Sequence, residues 1–362
     1  MNNDKSETTN PEEELVEGFS ESIESIEERK ERKVYSLFII FLPILIIILI
    51  LSIVIYFFLK EPLDNKNEEI FNYTIKEKIK VSKNNSKPIR LFNEHYIQIK
   101  NKITSMKINN KTIDIIQNYY TFSSIGDYSV EITFNKKLET MQEMFISCED
   151  IIEIDLSEVD TSKVKSMKSV FEGCHKLSSI FLHNFDTSLV TDMSGMFSEC
   201  NLTSLNLSNF DTSQVNDMSK MFYNCSKLRY IDLSSFDTHN VYKMSDMFHL
   251  CSNLESLDVL NFNTEKVIFM ENMFSYCSSL TSLNLSNFIT HEVSDFRCMF
   301  KGNQYLQNID ISHFYTDKMT SCDDMFCQLP ENGTITINYE KTSALMLNQI
   351  PDEWIQIYFD DK

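Results

Sequence analysis

Six cysteines stand at an almost fixed interval: Cys148, Cys174, Cys200, Cys225, Cys251 and Cys277 are 26, 26, 25, 26 and 26 residues apart. Further steps of 26 reach Asn303 and Leu329, and the dipeptides Met196-Phe197, Met221-Phe222, Met247-Phe248, Met273-Phe274, Met299-Phe300 and Met325-Phe326 keep the same register. Met144-Phe145 and Val170-Phe171 are earlier copies. The one short step has a local cause, because Cys200-Asn201-Leu202 lacks a residue relative to Cys174-His175-Lys176-Leu177. A period this strict restricts the chain to a solenoid, in which stacked copies of one small unit bury a continuous core that no single copy can bury.

Each copy reads in parts. Ser204-Leu205-Asn206-Leu207-Ser208 alternates apolar and polar, as do Tyr230 to Ser234 and Ser282 to Ser286, which predicts short strands. A turn follows at Asn209 to Ser213. Val215, Met218, Met221 and Phe222 then recur at helical spacing, with Thr212 or Ser213 placed as a cap, which predicts a short helix. The expected fold is therefore α/β: a right-handed, leucine-rich-repeat-like solenoid of short parallel strands and short helices.

The combined pattern, a Cys followed by Leu-x-x-Leu-Asn/Asp-Leu-Ser-Asn-Phe-Asp-Thr-Ser-x-Val-x-x-Met-Ser-x-Met-Phe, resembles the BspA-type leucine-rich repeat, also called the Mycoplasma lipoprotein-like repeat. Cys174 to Phe197 and Asn201 to Phe222 carry it most closely. The resemblance covers residues 138–330 and implies a surface-displayed protein used for adhesion or recognition. Departures cluster in the outer copies: Val159 for the repeat Phe, Ile289 and Tyr315 for Asp, and Asn303 and Leu329 for Cys.

The flanks divide the rest of the chain. Val34 to Leu59 carries no charged residue, and at 1.5 Å per residue a helix of that length spans roughly 39 Å, enough to cross a bilayer. It lacks the small-residue cleavage site and short apolar region of a signal peptide, so it reads as an uncleaved anchor. Arg29, Lys30, Arg32 and Lys33 precede it, which places the acidic tail 1–33 in the cytoplasm and the remainder outside, a single-pass type II arrangement. Residues 60–88 read as a stalk, 89–137 as a β-rich N-terminal cap with a turn at Gly126-Asp127, and 331–362 as a C-terminal cap. An open solenoid end would otherwise expose core and a free strand edge.

The formal charge of −20 argues against nucleic acid, since binding there draws on neutralised phosphates. The in-register cysteines read as a buried ladder rather than a disulfide framework, because stacked neighbours point the same way. A bridge among the off-register Cys298, Cys322 and Cys327 stays open. The chain has no paired CxxC motif, phosphate loop, nucleophile elbow or histidine-centred triad. The reading is of a protein without catalytic residues, cofactor or metal. Sequons fall at Asn72, Asn84, Asn110, Asn201, Asn206, Asn224, Asn284 and Asn332.

Outward strand positions form a polar lane through Asp155, Asn206, Asp232, Asp258, Asn284 and Asp310, with Glu153 beside its first copy. Phe181 and Tyr230 interrupt it with aromatic rings, and His183 lies in the adjoining variable turn. The bland reading is a solvated face. The functional one is a partner-binding surface comprising Glu153, Asp155, Phe181, His183, Tyr230, Asp232, Asp258 and Asp310, with the two rings as anchors for an extracellular protein or glycan. A calcium ladder is a weaker use of the same acids. The alternative from another class is a structural surface coat without a specific ligand. If the inferred topology holds, protease added to intact cells removes the repeats and spares an N-terminal tag; protected repeats with a cleaved tag would reverse the orientation.

Overall fold

The computed structural model describes residues 72–81, 87–93 and 102–359, all within the unit Ile70–Lys362. The acidic tail, the anchor segment 34–59 and the run Tyr96 to Ile99 lie outside the described residues. Among the described residues no helix is long and apolar enough to cross a membrane.

The repeat region is a β-solenoid of about seven turns with almost no helix. Its strands are β7 (Ile151–Asp155), β8 (Ser179–Phe181), β9 (Ser204–Asn206), β10 (Tyr230–Asp232), β11 (Ser282–Asn284) and β12 (Asn308–Asp310). β7 pairs with β8, β9 with β10 and β11 with β12, each in parallel and one period apart, as in Tyr230 with Ser204 and Asn284 with Asp310. A second parallel line of bridges runs from Ser166 through Asp192, Asp217, Lys243, Phe269 and Asp295 to Ser321.

The predicted helices are absent. In their place are tandem turns, for example Val215 N to Thr212 O at 2.9 Å, Met221 N to Met218 O at 3.2 Å and Cys225 N to Phe222 O at 3.1 Å. Turns of this kind bring every third side chain inward, so they produce the same apolar spacing as a helix. Two features stop a helix from forming. Lys220 and Asn224 adopt left-handed φ values of 58° and 51°, and residues at the equivalent places in later coils do the same. The amides between them also point along the solenoid axis: Phe197 donates to Met221 O, Phe222 to Met247 O and Phe248 to Met273 O, at 3.0, 3.0 and 2.9 Å. Those bonds replace the i−4 bonds of a helix.

Three side-chain ladders lock the coils. Phe145, Phe171, Phe197, Phe222, Phe248, Phe274, Phe300 and Phe326 form one stack, with neighbouring centroids 5.5–6.2 Å apart. The thiol of each ladder cysteine from Cys174 onward donates to a phenylalanine carbonyl of the preceding coil, as Cys225 does to Phe197 O at 3.0 Å and Cys277 to Phe248 O at 3.0 Å. Asn303, standing where the next cysteine would, donates from Nδ2 to Phe274 O at 2.9 Å. The buried threonine of each Asp-Thr turn clips forward: Thr212 Oγ1 donates to Asp237 O at 2.9 Å and accepts from Asp237 N at 2.8 Å. All nine cysteines are free, including Cys298, Cys322 and Cys327. Burial pushes the Cys225 and Cys277 thiols up to about 12, so they stay protonated and unreactive at neutral pH.

At the N-terminal end the sheet becomes antiparallel. Strands β1 (Tyr73–Val81), β3 (Ile103–Ile108), β4 (Lys111–Thr112) and β6 (Gly126–Phe134) join in the order β4-β3-β6-β1-β7-β8, while β2 (Ile89–Arg90) pairs with β5 (Tyr119–Tyr120). Strand β1 falls in the segment assigned to the stalk, so the folded region reaches back at least to Tyr73. Its alternation of Tyr73, Ile75, Ile79 and Val81 with lysines is a half-buried strand pattern broken at one place, the buried Glu77. Neither carboxylate oxygen of Glu77 has a hydrogen-bond partner, and burial raises its pKa well above the ordinary value. At the other end lie β13 (Thr334–Ile337), helix α1 (Ala344–Leu347), capped by Ser343, and β14 (Ile355–Tyr358).

Two stability predictions follow from these contacts. Asn303→Cys keeps a donor for Phe274 O and removes an Oδ1 atom that is buried without a partner, so urea unfolding should show a gain of about 1 kcal/mol; a clear loss would mean the amide does more than the thiol it replaces. Glu77 binds its proton more tightly folded than unfolded. It therefore costs stability as pH rises above its unfolded pKa near 4.5, until the folded carboxyl itself ionises. Glu77→Met should raise the melting temperature at pH 7, and the gain should shrink towards pH 4. A gain independent of pH would assign the effect to packing alone.

Candidate binding face on the strand side

The strand face is built by alternation: the middle residue of each short strand points into the core and its two neighbours point out, as in buried Leu205 between exposed Ser204 and Asn206. The structure sets Asp155, Phe181, Asn206, Asp232, Asn284 and Asp310 at equivalent outward strand positions, and Asp258 lies exposed one period beyond Asp232, where no strand is assigned.

Most of the acids are engaged in holding the backbone. Asp155 Oδ1 accepts from Ser157 N at 3.0 Å and Ser157 Oγ at 2.5 Å. Burial pushes that carboxyl up, but the two bonds from Ser157 outweigh it and hold the group below its usual range. Asp232, Asp258 and Asp310 accept in the same way from Ser234, Leu260 and Ser312 N at 2.9, 3.1 and 3.0 Å. The Ser234 side chain and amide hold Asp232 below its usual range. The asparagines Asn206 and Asn284 make the identical turn bond at 3.0 Å, so at this position the side-chain oxygen is needed and the charge is not. Glu153 pairs with Lys78 at 2.5 Å, across the joint to β1. Among the described residues no group of three or more His, Cys, Asp or Glu is arranged to hold a metal ion.

The two aromatic anchors differ. Tyr230 is 52% exposed, but its hydroxyl bonds to Glu255 and the Arg229 guanidinium lies 5.7 Å from its ring centroid. The hydrogen bond to Glu255 raises the phenol pKa, and the same bond and Arg229 lower that of Glu255. Tyr230 is thus one member of a surface cluster that satisfies itself. Phe181, 38% exposed, has no polar group to satisfy and meets His183 edge-on at 6.2 Å. Those two residues line a surface pocket of about 310 Å³ with Ile180, Leu182, Asn206, Ser208 and Asn209. Asn209 Nδ2 braces the pocket by donating to Leu182 O and Phe185 O at 2.9 and 3.0 Å.

The pocket coincides with a break in the strand ladder. The six-stranded sheet ends at β8, and β9 pairs only with β10. This is also where the cysteine spacing drops by one residue, at Cys200-Asn201-Leu202. Asn206, Ser208 and Asn209 complete the pocket although the sequence reading singled out none of them for binding; the missing residue was the available signal. Of the proposed residues, Phe181 and His183 lie together in this pocket.

Stacked parallel coils, buried ladders along the axis and a side-chain-bearing strand face define a β-solenoid repeat protein. Residues 139–255 and 229–337 each match the family described as Mycoplasma protein of unknown function, DUF285. The matches together cover more than half of the chain, which belongs to that family. No curated protein and no solved structure matches it significantly.

Proposed function

We propose that the solenoid is a surface-displayed recognition module of the BspA leucine-rich-repeat kind, held by the apolar segment 34–59 as a type II anchor. It binds an extracellular protein or glycan and performs no catalysis. The observation that carries this reading is the Phe181 pocket. An unsatisfied aromatic ring stands beside amide and hydroxyl groups on a face whose acids are otherwise occupied by the backbone. A ring with adjacent polar groups suits an amphipathic partner, either a sugar ring stacked on Phe181 or a protein side chain inserted beside it. The short period at Asn201 makes this pocket unlike the other coils, which favours a specific site over a repetitive coat.

The test joins a melting curve to a binding screen of glycans and host surface proteins against the full chain. Phe181→Ser should leave stability within about 0.5 kcal/mol and weaken binding by roughly 1–2 kcal/mol. Tyr230→Ser should weaken it less, since its hydroxyl is already engaged. Unchanged binding in both variants, or dense lateral arrays with no saturable partner, would favour the coat.

A further inference from the structure

Strand β14 is the last of the sheet β11-β12-β13-β14, and among the described residues only its β13 side is paired. The amides of Ile355 and Phe359 donate to Gly333 O and Ile337 O at 2.9 and 2.8 Å. Successive residues of a strand turn their main-chain groups to opposite sides, so the N–H and C=O of Gln356 and Tyr358 face the open edge. Edges left open in this way are normally short, charged or covered. The cap end obeys that rule, finishing in the two-residue β4 with Lys111 and Thr112 both exposed. Strand β14 does not. The outward lane reads Asn308 and Asp310, then Thr334 and Thr336, and at β14 becomes Ile355 and Ile357. These are 66% and 48% exposed, and Phe359, in the same alternation, is 41% exposed.

We propose that β14 pairs antiparallel with β14 of a second copy of this chain, about a two-fold axis passing beside Ile357. Two independent features select that register. The main-chain groups facing the edge belong to Gln356 and Tyr358, and centring on Ile357 places Gln356 of one copy opposite Tyr358 of the other, where the two exchange both N–H···O bonds. The axis stands normal to the sheet and keeps every residue on its own face, so opposed residues must be separated by an even number. With this centre Ile357 meets its own counterpart and Ile355 meets Phe359 of the second copy. The exposed apolar side chains on the outward face at this edge, Ile355, Ile357 and Phe359, are then all paired. The contact is isologous and closes as a dimer, whereas the blunted, charged β4 end offers no matching edge for head-to-tail stacking. The proposal does not depend on a ligand at Phe181.

The experiment uses the full chain in mild detergent, with the exposed Cys327 changed to Ser. Ile357→Cys on this background brings the two engineered thiols face to face. Mild oxidation should link it into dimers roughly 100-fold faster than Ser256→Cys on the same face, because thiols held in register see a millimolar effective concentration. Ile355→Cys should link poorly to itself but readily to Phe359→Cys when the two proteins are mixed. In sedimentation, Ile357→Lys should shift the wild-type dimer to monomer without lowering the melting temperature. Ile357→Cys linking no faster than Ser256→Cys, self-linking of Ile355→Cys at the same rate as Ile357→Cys, or a dimer that survives Ile357→Lys would overturn the proposal. So would capture of a foreign strand by β14 in place of a second copy.

Discussion

The structure depends on how a short coil disposes of its buried main-chain polar groups. A coil of about 26 residues has too few bonds of its own to satisfy a backbone that is turned towards the core on every side, and an unpaired buried amide or carbonyl costs on the order of 1–3 kcal/mol. The solution is transfer along the axis. Amides of the Met-Phe turn bond forward to the next coil, strand amides bond between successive coils, and the carbonyls of Phe145, Phe171, Phe197, Phe222 and Phe248 each receive a thiol from the coil above. Each coil is therefore finished only by its neighbour. The buried threonine repeats the logic in a single side chain, joining one hydroxyl to both an amide and a carbonyl of the following turn. Thr161, Thr187, Thr212, Thr238, Thr264 and Thr290 all do this.

That dependence explains which substitutions the repeat tolerates. Where a residue supplies a donor, replacements that retain the donor are found: Asn303 stands for cysteine, and its amide reaches the same carbonyl. Where a residue supplies a turn acceptor, Asp and Asn interchange freely, as at Asp232 and Asn284. The strand-face acids are thus consistent with turn chemistry, and charge there is incidental to the fold. Glu77 contrasts with them, because it lies beneath the junction of the antiparallel cap and the first coil with no partner for either oxygen. It is the clearest local conflict in the described core.

The periodicity made the solenoid legible, and the alternation in Ser204 to Ser208 located its strands. The helix was misread for a physical reason: turns closed by i to i+3 bonds bring Val215, Met218 and Met221 inward much as a helix would, and only backbone φ separates the two. Left-handed conformations at Lys220, Asp246 and Leu250 leave no compositional trace, since none is glycine. Gly173, Gly195 and Gly302 are the exceptions, and at Gly302, with a φ of 77°, the Tyr276 ring lies where a Cβ would be. Strand β1 was missed because its outward positions are mostly lysines, which made an alternating strand look like a charged linker. Phe181 was visible as an aromatic outlier in a polar lane. Its pocket was not, because Asn206, Ser208 and Asn209 come from the next coil, after the shortened step.

The two ends of the solenoid solve the same problem by opposite means. At the N-terminal end the chain reverses direction, and the antiparallel strands β1, β6 and β3 carry the sheet outward until it finishes in a short polar edge. That edge strand carries no apolar side chain, and the junction carries the cost of an unpartnered Glu77. At the C-terminal end the parallel ladder continues for two more strands and stops, with Trp354 buried against Gly333 and its indole N–H bonded to Pro330 O at 3.0 Å. The core is thereby covered, but the main-chain edge is not. A parallel ladder cannot end itself, since its last strand always presents the groups that its predecessor received. Termination needs a change of strand direction, a covering segment or another molecule. The first of these occurs at β1, and the apolar outer face of β14 is the reason to assign the last to the opposite end.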